Sequence, residues 1–195
     1  MLLPICQAGE PVLRRRAREL TPDEIVSAPL QELIASMFET MRAAPGVGLA
    51  APQIGMNLQL AVIEDPADSI NKLPPDYRAE RQRDPVAPHV IINPRLTLEG
   101  PAVGFFEGCL SVAGFTAIVD RALAVRVDCL NERAEPVTIQ AQGWYARILQ
   151  HEIDHLNGTL YIDRMITRSF MGHENFQRHW KDKTMAETRD TLAGG

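Results

Sequence analysis

The sequence has little cysteine: Cys6, Cys109 and Cys129. An odd number with no framework spacing excludes a disulfide-stapled fold and reads as reduced thiols of a cytosol-like compartment. No apolar run reaches the length of a membrane-spanning helix, so no membrane partner is expected. Positive charge is not in excess. The net charge of −5 argues against general or sequence-specific nucleic-acid binding. No repeat and no composition shift marks a second domain, so a single domain over 1–195 is expected. The start, Met1-Leu2-Leu3-Pro4-Ile5, is too short for a signal core and soon meets Glu10 and Glu19. A cytoplasmic location is expected, or an organellar one after removal of a transit segment.

One motif stands out: Gln150-His151-Glu152-Ile153-Asp154-His155 contains His-Glu-x-x-His. Two histidines four apart on a helix share a face, and both rings can reach one metal ion. Glu152, next to the first histidine, is placed to take a proton from water at that ion. The flanks predict a helix over Gly143–Asn157. No proline interrupts it, Trp144, Ile148, Leu149, Ile153 and Leu156 recur at helical spacing, and Gly158 stands at the C-terminal cap. Charge on a mostly apolar helix is costly unless it is paired or ligates something.

An open metal site needs a third protein ligand. Cys109 is the best candidate, in the turn Glu107-Gly108-Cys109-Leu110-Ser111 after a strand. Cys6 lies near the chain start and Cys129 continues a regular strand pattern. A zinc endopeptidase would instead take its third ligand downstream, from a residue such as His173 or Glu174. A metal-stabilised binding module would close the site with a fourth.

The remaining pattern predicts an α+β domain. Thr21-Pro22-Asp23-Glu24 is a helix start, and Leu30, Leu33, Ile34, Met37, Phe38 and Met41 form an apolar helical stripe. Strands are expected at Leu58–Ile63, His89–Pro94, Leu96–Glu99, Ala102–Phe106, Phe115–Val119, Ala122–Leu130 and Pro136–Gln140, mostly antiparallel and wrapped around the motif helix. Leu160-Tyr161-Ile162 reads as a short strand and Thr167 onward as helix. Residues 65–88, rich in proline, are expected to be a long surface loop, and 184–195 a frayed tail.

Three blocks occur in order: Gly46-Val47-Gly48-Leu49-Ala50-Ala51-Pro52-Gln53, Glu107-Gly108-Cys109-Leu110-Ser111, and the His151 motif. With them the chain resembles the peptide deformylases over nearly its whole length. The long 65–88 segment is closer to the mitochondrial-like subgroup. The resemblance implies removal of the N-formyl group from the formylmethionine that begins nascent polypeptides. Cys109, His151 and His155 would hold one divalent metal. Ferrous iron is the usual ion, with zinc, nickel or cobalt as alternatives. Glu152 would be general base and acid. The Gln53 side chain and the Leu110 N–H would form an oxyanion hole, and Val47 and Gly48 would pair with the substrate backbone. Glu107 and Asp154 would brace the ligands from behind, with Arg121 as a partner for one of them. Basic residues Arg178, Lys181 and Lys183 permit ribosome contact, although a solvated face is the simpler reading.

Overall fold

The computed structural model describes residues 1–194. It is an α+β fold: one large antiparallel sheet with helices on its flanks. Six strands take part, β1 (Gly48–Ala50), β2 (Leu60–Asp65), β3 (Val86–Cys109), β4 (Val112–Leu130), β5 (Pro136–Gln142) and β6 (Met171–Gly172). The spatial order is β1-β2-β3-β4-β5, with β6 added to β4. β1 is therefore an edge strand with β2 as its one neighbour.

β2 explains how the layers form. Successive side chains of a strand face opposite ways. Leu60 and Val62 join a cluster with Leu30, Ile34, Met37 and Met41 of α2 (Ala28–Ala43). Ala61 and Ile63 join another with Ile148, Leu149, Ile153 and Leu156 of α5 (Gly143–Leu156). A strand covered on both faces reads as a continuous apolar run, as β2 does.

α1 (Pro22–Ile25) has the expected capping box between Thr21 and Glu24. Pro29 does not break α2; it occupies the first turn, where its missing N–H has no intrahelical acceptor. α5 ends where Gly158 adopts φ +74°. A Cβ there would lie 2.8 Å from the Arg14 backbone, so only glycine fits.

Several expectations are corrected. The three strands expected between His89 and Phe106 are one strand, β3, and the two between Phe115 and Leu130 are one strand, β4. The apparent breaks at Asn93-Pro94 and Gly100-Pro101 coincide with register shifts between Ile92 and Arg95 and between Glu99 and Ala102. A bulge accepts a residue that cannot donate to the ladder, so these prolines bend the strand without ending it. Residues 65–88 are not a structureless loop. They carry α3 (Ala67–Ile70) and α4 (Pro75–Arg81), with Ile70 and Arg81 buried. Pro66 and Pro74 cap these helices, and Pro75 opens α4, so the residues read as breakers are starters.

The expected frayed tail, 184–195, contains α7 (Met185–Ala193); its last residue lies outside the described residues. A Thr184–Glu187 capping box starts α7, Thr188 is fully buried, and Arg189 pairs with Asp120 at 2.8 Å. Capping and ion pairing substitute for the missing apolar stripe. Leu160-Tyr161-Ile162 is no strand. A 3-10 turn covers Tyr161–Asp163, closed by the Leu160 N–H donating to Asp163 at 2.8 Å. Beyond Thr167 a short turn and β6 come before the helix α6 (His173–His179).

Candidate metal centre

α5 contributes His151, Glu152 and His155, all on the side of the helix turned toward the end of β3, where Cys109 lies. One ligand atom each from Cys109, His151 and His155 lies within 4.8 Å of the others. Cys109 Sγ stands 3.3 Å from His155 Nε2. Among the described residues this is the one such group of three or more His, Cys, Asp or Glu side chains. His173 and Glu174 are not part of it, which leaves the endopeptidase ligand set without support. Among the described residues no fourth side chain joins the group.

The donor chemistry fits a divalent metal. One thiolate and two imidazoles suit zinc, ferrous iron and related ions, and a three-donor set leaves a position open. The orientation of His151 fits too, because its Nδ1 is engaged at 3.0 Å by Glu107 Oε2, leaving Nε2 for the centre. Which ion binds does not follow from these donors.

Behind the donors lies a buried ionic network. Arg121 grips Glu107 through two bonds, Nε to Oε1 at 2.6 Å and Nη2 to Oε2 at 2.9 Å. The same guanidinium donates through Nη1 to Asp154 at 2.8 Å, so Arg121 meets both acids rather than one. Arg147 donates to Glu107 at 2.6 Å, and Arg164 to Asp154 at 2.8 and 2.9 Å. Burial works against the charged form of Glu107, but Arg121 and His151 outweigh it and hold the carboxyl well below the usual range. Burial likewise opposes the Arg121 charge, yet the two carboxylates raise its pKa.

Glu152 differs. Burial pushes its pKa up to about 7 against the pull of His151 and Arg121. Its Oε2 is buried and has no hydrogen-bond partner. Its carboxyl packs against Gly48, where a Cβ would lie 2.2 Å from Oε1. Burial also lowers the pKa of His155, with the charge of His151 adding to it.

The third motif arrives through β1 and the 3-10 turn Ala51–Ile54. Gln53 Oε1 accepts from the Ala50 N–H at 2.9 Å, which directs its Nε2 toward Ser111 Oγ at 3.3 Å and Cys109 Sγ at 3.5 Å. Val47, Gly48, Gln53, Leu110 and Glu152 line one cavity of about 620 Å³ with Cys109 and His151. A cavity of that size accommodates a small ligand or a peptide end. Sequence reasoning missed Arg147, Arg164 and Ser111. Arg147 carried a signal, since it lies four residues before His151 on the same helical face.

Fold and site together define a His-Glu-x-x-His protein whose triad is completed by a cysteine from a sheet turn and can coordinate a divalent metal. Comparison with known proteins narrows the class: the chain belongs to the polypeptide deformylase family, whose profile matches residues 2–170. It is 48% identical over 172 residues to peptide deformylase 1A, chloroplastic, of Solanum lycopersicum, covering 88% of this chain and 62% of that protein. With peptide deformylase 1 of Streptomyces coelicolor it shares 44% over 191 residues, 97% of this chain and 85% of that one. The chain thus spans under two thirds of the tomato protein and most of the bacterial one. The crystal structure of a class I type b peptide deformylase from Acinetobacter baumannii with Met-Ala-Ser bound superposes with a TM-score of 0.75. It is 33% identical, over 85% of this chain and 99% of that one. The relatives include chloroplastic, mitochondrial and bacterial deformylases, so family membership carries no subgroup or compartment.

Proposed function

We propose that this protein is a metal-dependent hydrolase that removes the N-formyl group from N-terminal formylmethionine and releases formate. The observation that carries the reading is the convergence of Cys109, His151 and His155 beside a buried, unpartnered carboxylate oxygen of Glu152. Cys109, His151 and His155 hold the ion, ferrous iron in the cell by family resemblance. The ion, when bound, supplies a Lewis acid that makes hydroxide available near neutral pH.

The chain's own groups do the rest. The unpaired edge of β1 lets Val47 and Gly48 receive the substrate backbone as an added strand. Gln53 Nε2 and the Leu110 N–H donate to the formyl oxygen as charge develops on it; one such donor is typically worth roughly 10²–10³ in rate. Glu152 takes the proton from the attacking water and returns it to the departing amine nitrogen. Glu107 fixes the His151 ring, and Asp154 anchors Arg121 behind it. Residues 1–195 act as one catalytic domain. The length and proline content of segment 65–88 are the reason for assigning the chain near the mitochondrial-like subgroup, and bacterial-type cytoplasm is the proposed location. The basic residues Arg178, Lys181 and Lys183 in and after α6 offer a ribosome contact.

The test is formate release from formyl-Met-Ala-Ser under anaerobic conditions with ferrous iron. Glu152→Gln should keep one ion per chain and lose about 10²–10⁴ in rate. Full activity in that variant would remove Glu152 as the base. A Cys109→Ala variant that still holds its ion normally would remove the ligand set.

A further inference from the structure

Gln53 and Leu110, the two oxyanion donors of the proposed reaction, sit on different turns, and the start of the chain ties those turns together. Gln53 lies in the 3-10 turn Ala51–Ile54. Leu110 lies in the short turn that joins β3 to β4, with Cys109 opposite Val112. The Cys6 N–H donates to the Gln53 carbonyl at 2.8 Å, and the Ala8 N–H to the Ser111 carbonyl at 2.7 Å. Between them stands Gln7. Its side-chain Nε2 donates to the Leu110 carbonyl at 3.0 Å, and its Oε1 accepts from the Ala113 N–H at 3.3 Å. The ring closes where Gln53 Nε2 donates to Ser111 Oγ at 3.3 Å.

A single side-chain amide therefore spans the turn from Leu110 to Ala113. Its orientation is dictated by its partners, because a carbonyl faces Nε2 and an N–H faces Oε1. The backbone aims it as well, since Ala8 is bonded to Ser111, and the Glu10 N–H closes a turn on the Gln7 carbonyl at 3.1 Å. Gln7 is exposed and lies 103 residues from Leu110 in sequence. Hydrogen bonds open to water add little to stability, because water replaces them when they break. Rate is less forgiving, because a small misplacement of groups around the reacting atoms is costly.

We propose that Gln7 is a positioning residue for the oxyanion donors: it holds the Leu110 turn so that the Leu110 N–H and Gln53 Nε2 meet the same oxygen. This role rests on the deformylase reading. Gln7 grips Leu110 by its carbonyl, and the N–H on the other side of the same residue is the donor. If residue 110 rocks, that donor swings away. Cys6 and Ala8 hold one turn each through the backbone, so the segment around Gln7 sets the spacing of the two donors.

Formate release from formyl-Met-Ala-Ser is measured on the iron-loaded parent, Gln7→Met and Gln7→Ala. Methionine keeps the length of the side chain and loses both bonds. Each variant should lose about 10-fold in kcat with KM within about twofold, less than the loss of a whole donor. Ion content should stay at one per chain, and the melting temperature should fall by no more than about 4 °C, as for bonds open to water. Amide exchange at Ala113, followed by NMR on the zinc-loaded protein, should quicken by about threefold or more in both variants. A folded, ion-loaded Gln7→Met with kcat within twofold of the parent overturns the proposal. So does a loss confined to Gln7→Ala, which would make the side chain a packing element, and so does a loss carried by KM. Unchanged exchange at Ala113 overturns it whatever the rate. If the parent releases no formate but exchange at Ala113 still quickens in the variants, the deformylase reading falls and the hold of Gln7 on the turn stands.

Discussion

Gly48 and Glu152 share a space that leaves no room for a methyl group. A Cβ on residue 48 would lie 2.2 Å from Glu152 Oε1 and 2.5 Å from its Cδ. The carboxyl is itself buried on a packed helix, so it must rotate or the β1 edge must retreat. Either movement displaces the proposed proton carrier. Gly48→Ala is therefore expected to cost about 10²-fold or more in formate release, within the range of general-base contributions. The far-UV circular dichroism should stay native, because the clash is local. An alanine variant within twofold of the parent rate would show that Glu152 does not work from this position. At this scale the metal donors were the most legible residues. A four-residue spacing becomes one helical face by geometry alone, and Cys109 stood out from two cysteines with other readings. The spacing of Arg147 from His151 put it on the site-facing side of the helix, but its pairing with Glu107 was not legible, and Ser111 carried no signal of its own. Those roles depend on where Glu107 and Gln53 sit in space, and no local spacing encodes that.

The elements β3, β4 and α5 meet at one guanidinium. Arg121 lies on β4, Glu107 on β3 and Asp154 on α5, all nearly buried. Removing one partner of a buried ion pair typically costs about 3–5 kcal/mol, because the remaining charge has no water. Here Arg147 still holds Glu107 and Arg164 still holds Asp154, so Arg121→Leu should fall near the low end, about 3 kcal/mol in urea unfolding. Glu107 also orients His151, and loss of such outer partners typically weakens metal affinity about 10–100-fold. Arg164→Ala is the control. Its side chain is half exposed, so its pair with Asp154 should be worth about 1 kcal/mol or less. Equal costs for the two variants would place the strength of the network elsewhere. The element level was legible in kind and illegible in extent. Apolar patterning located β2 to β5, but it missed the short strands β1 and β6, and Pro94 and Pro101 cut β3 into three on paper. The pairing with β4 carries the strand through both bulges, and that pairing is a long-range fact. The prolines at 66, 74 and 75 misled in the same way, since a proline marks a helix start as well as a stop.

For the whole molecule, the decisive question is whether the ion is needed for the fold or only for the site. Cys109 and His155 are 46 residues apart in sequence, so a bound ion ties the end of β3 to α5. The two larger apolar clusters, one against α2 and the other against α5, contain none of the three donors. A chain of 195 residues with such cores resembles an ordinary domain more than a small zinc module that unfolds without metal. The ion-free protein should therefore keep native secondary structure at room temperature. Binding to the folded state alone still adds stability by mass action, about 4 kcal/mol at a free ion concentration a thousandfold above Kd. For a domain of this size each kcal/mol moves the melting temperature by about 2–4 °C, so the holo form should melt roughly 8–16 °C above the apo form. Scanning calorimetry before and after chelation checks this. Cys109→Ser should melt close to the parent's ion-free form and gain much less on adding ions, since one of the three anchors is lost. An ion-free chain that is unfolded at room temperature would mean that the ion organises the sheet and helices, and the site could no longer be treated as built on a scaffold that stands without it.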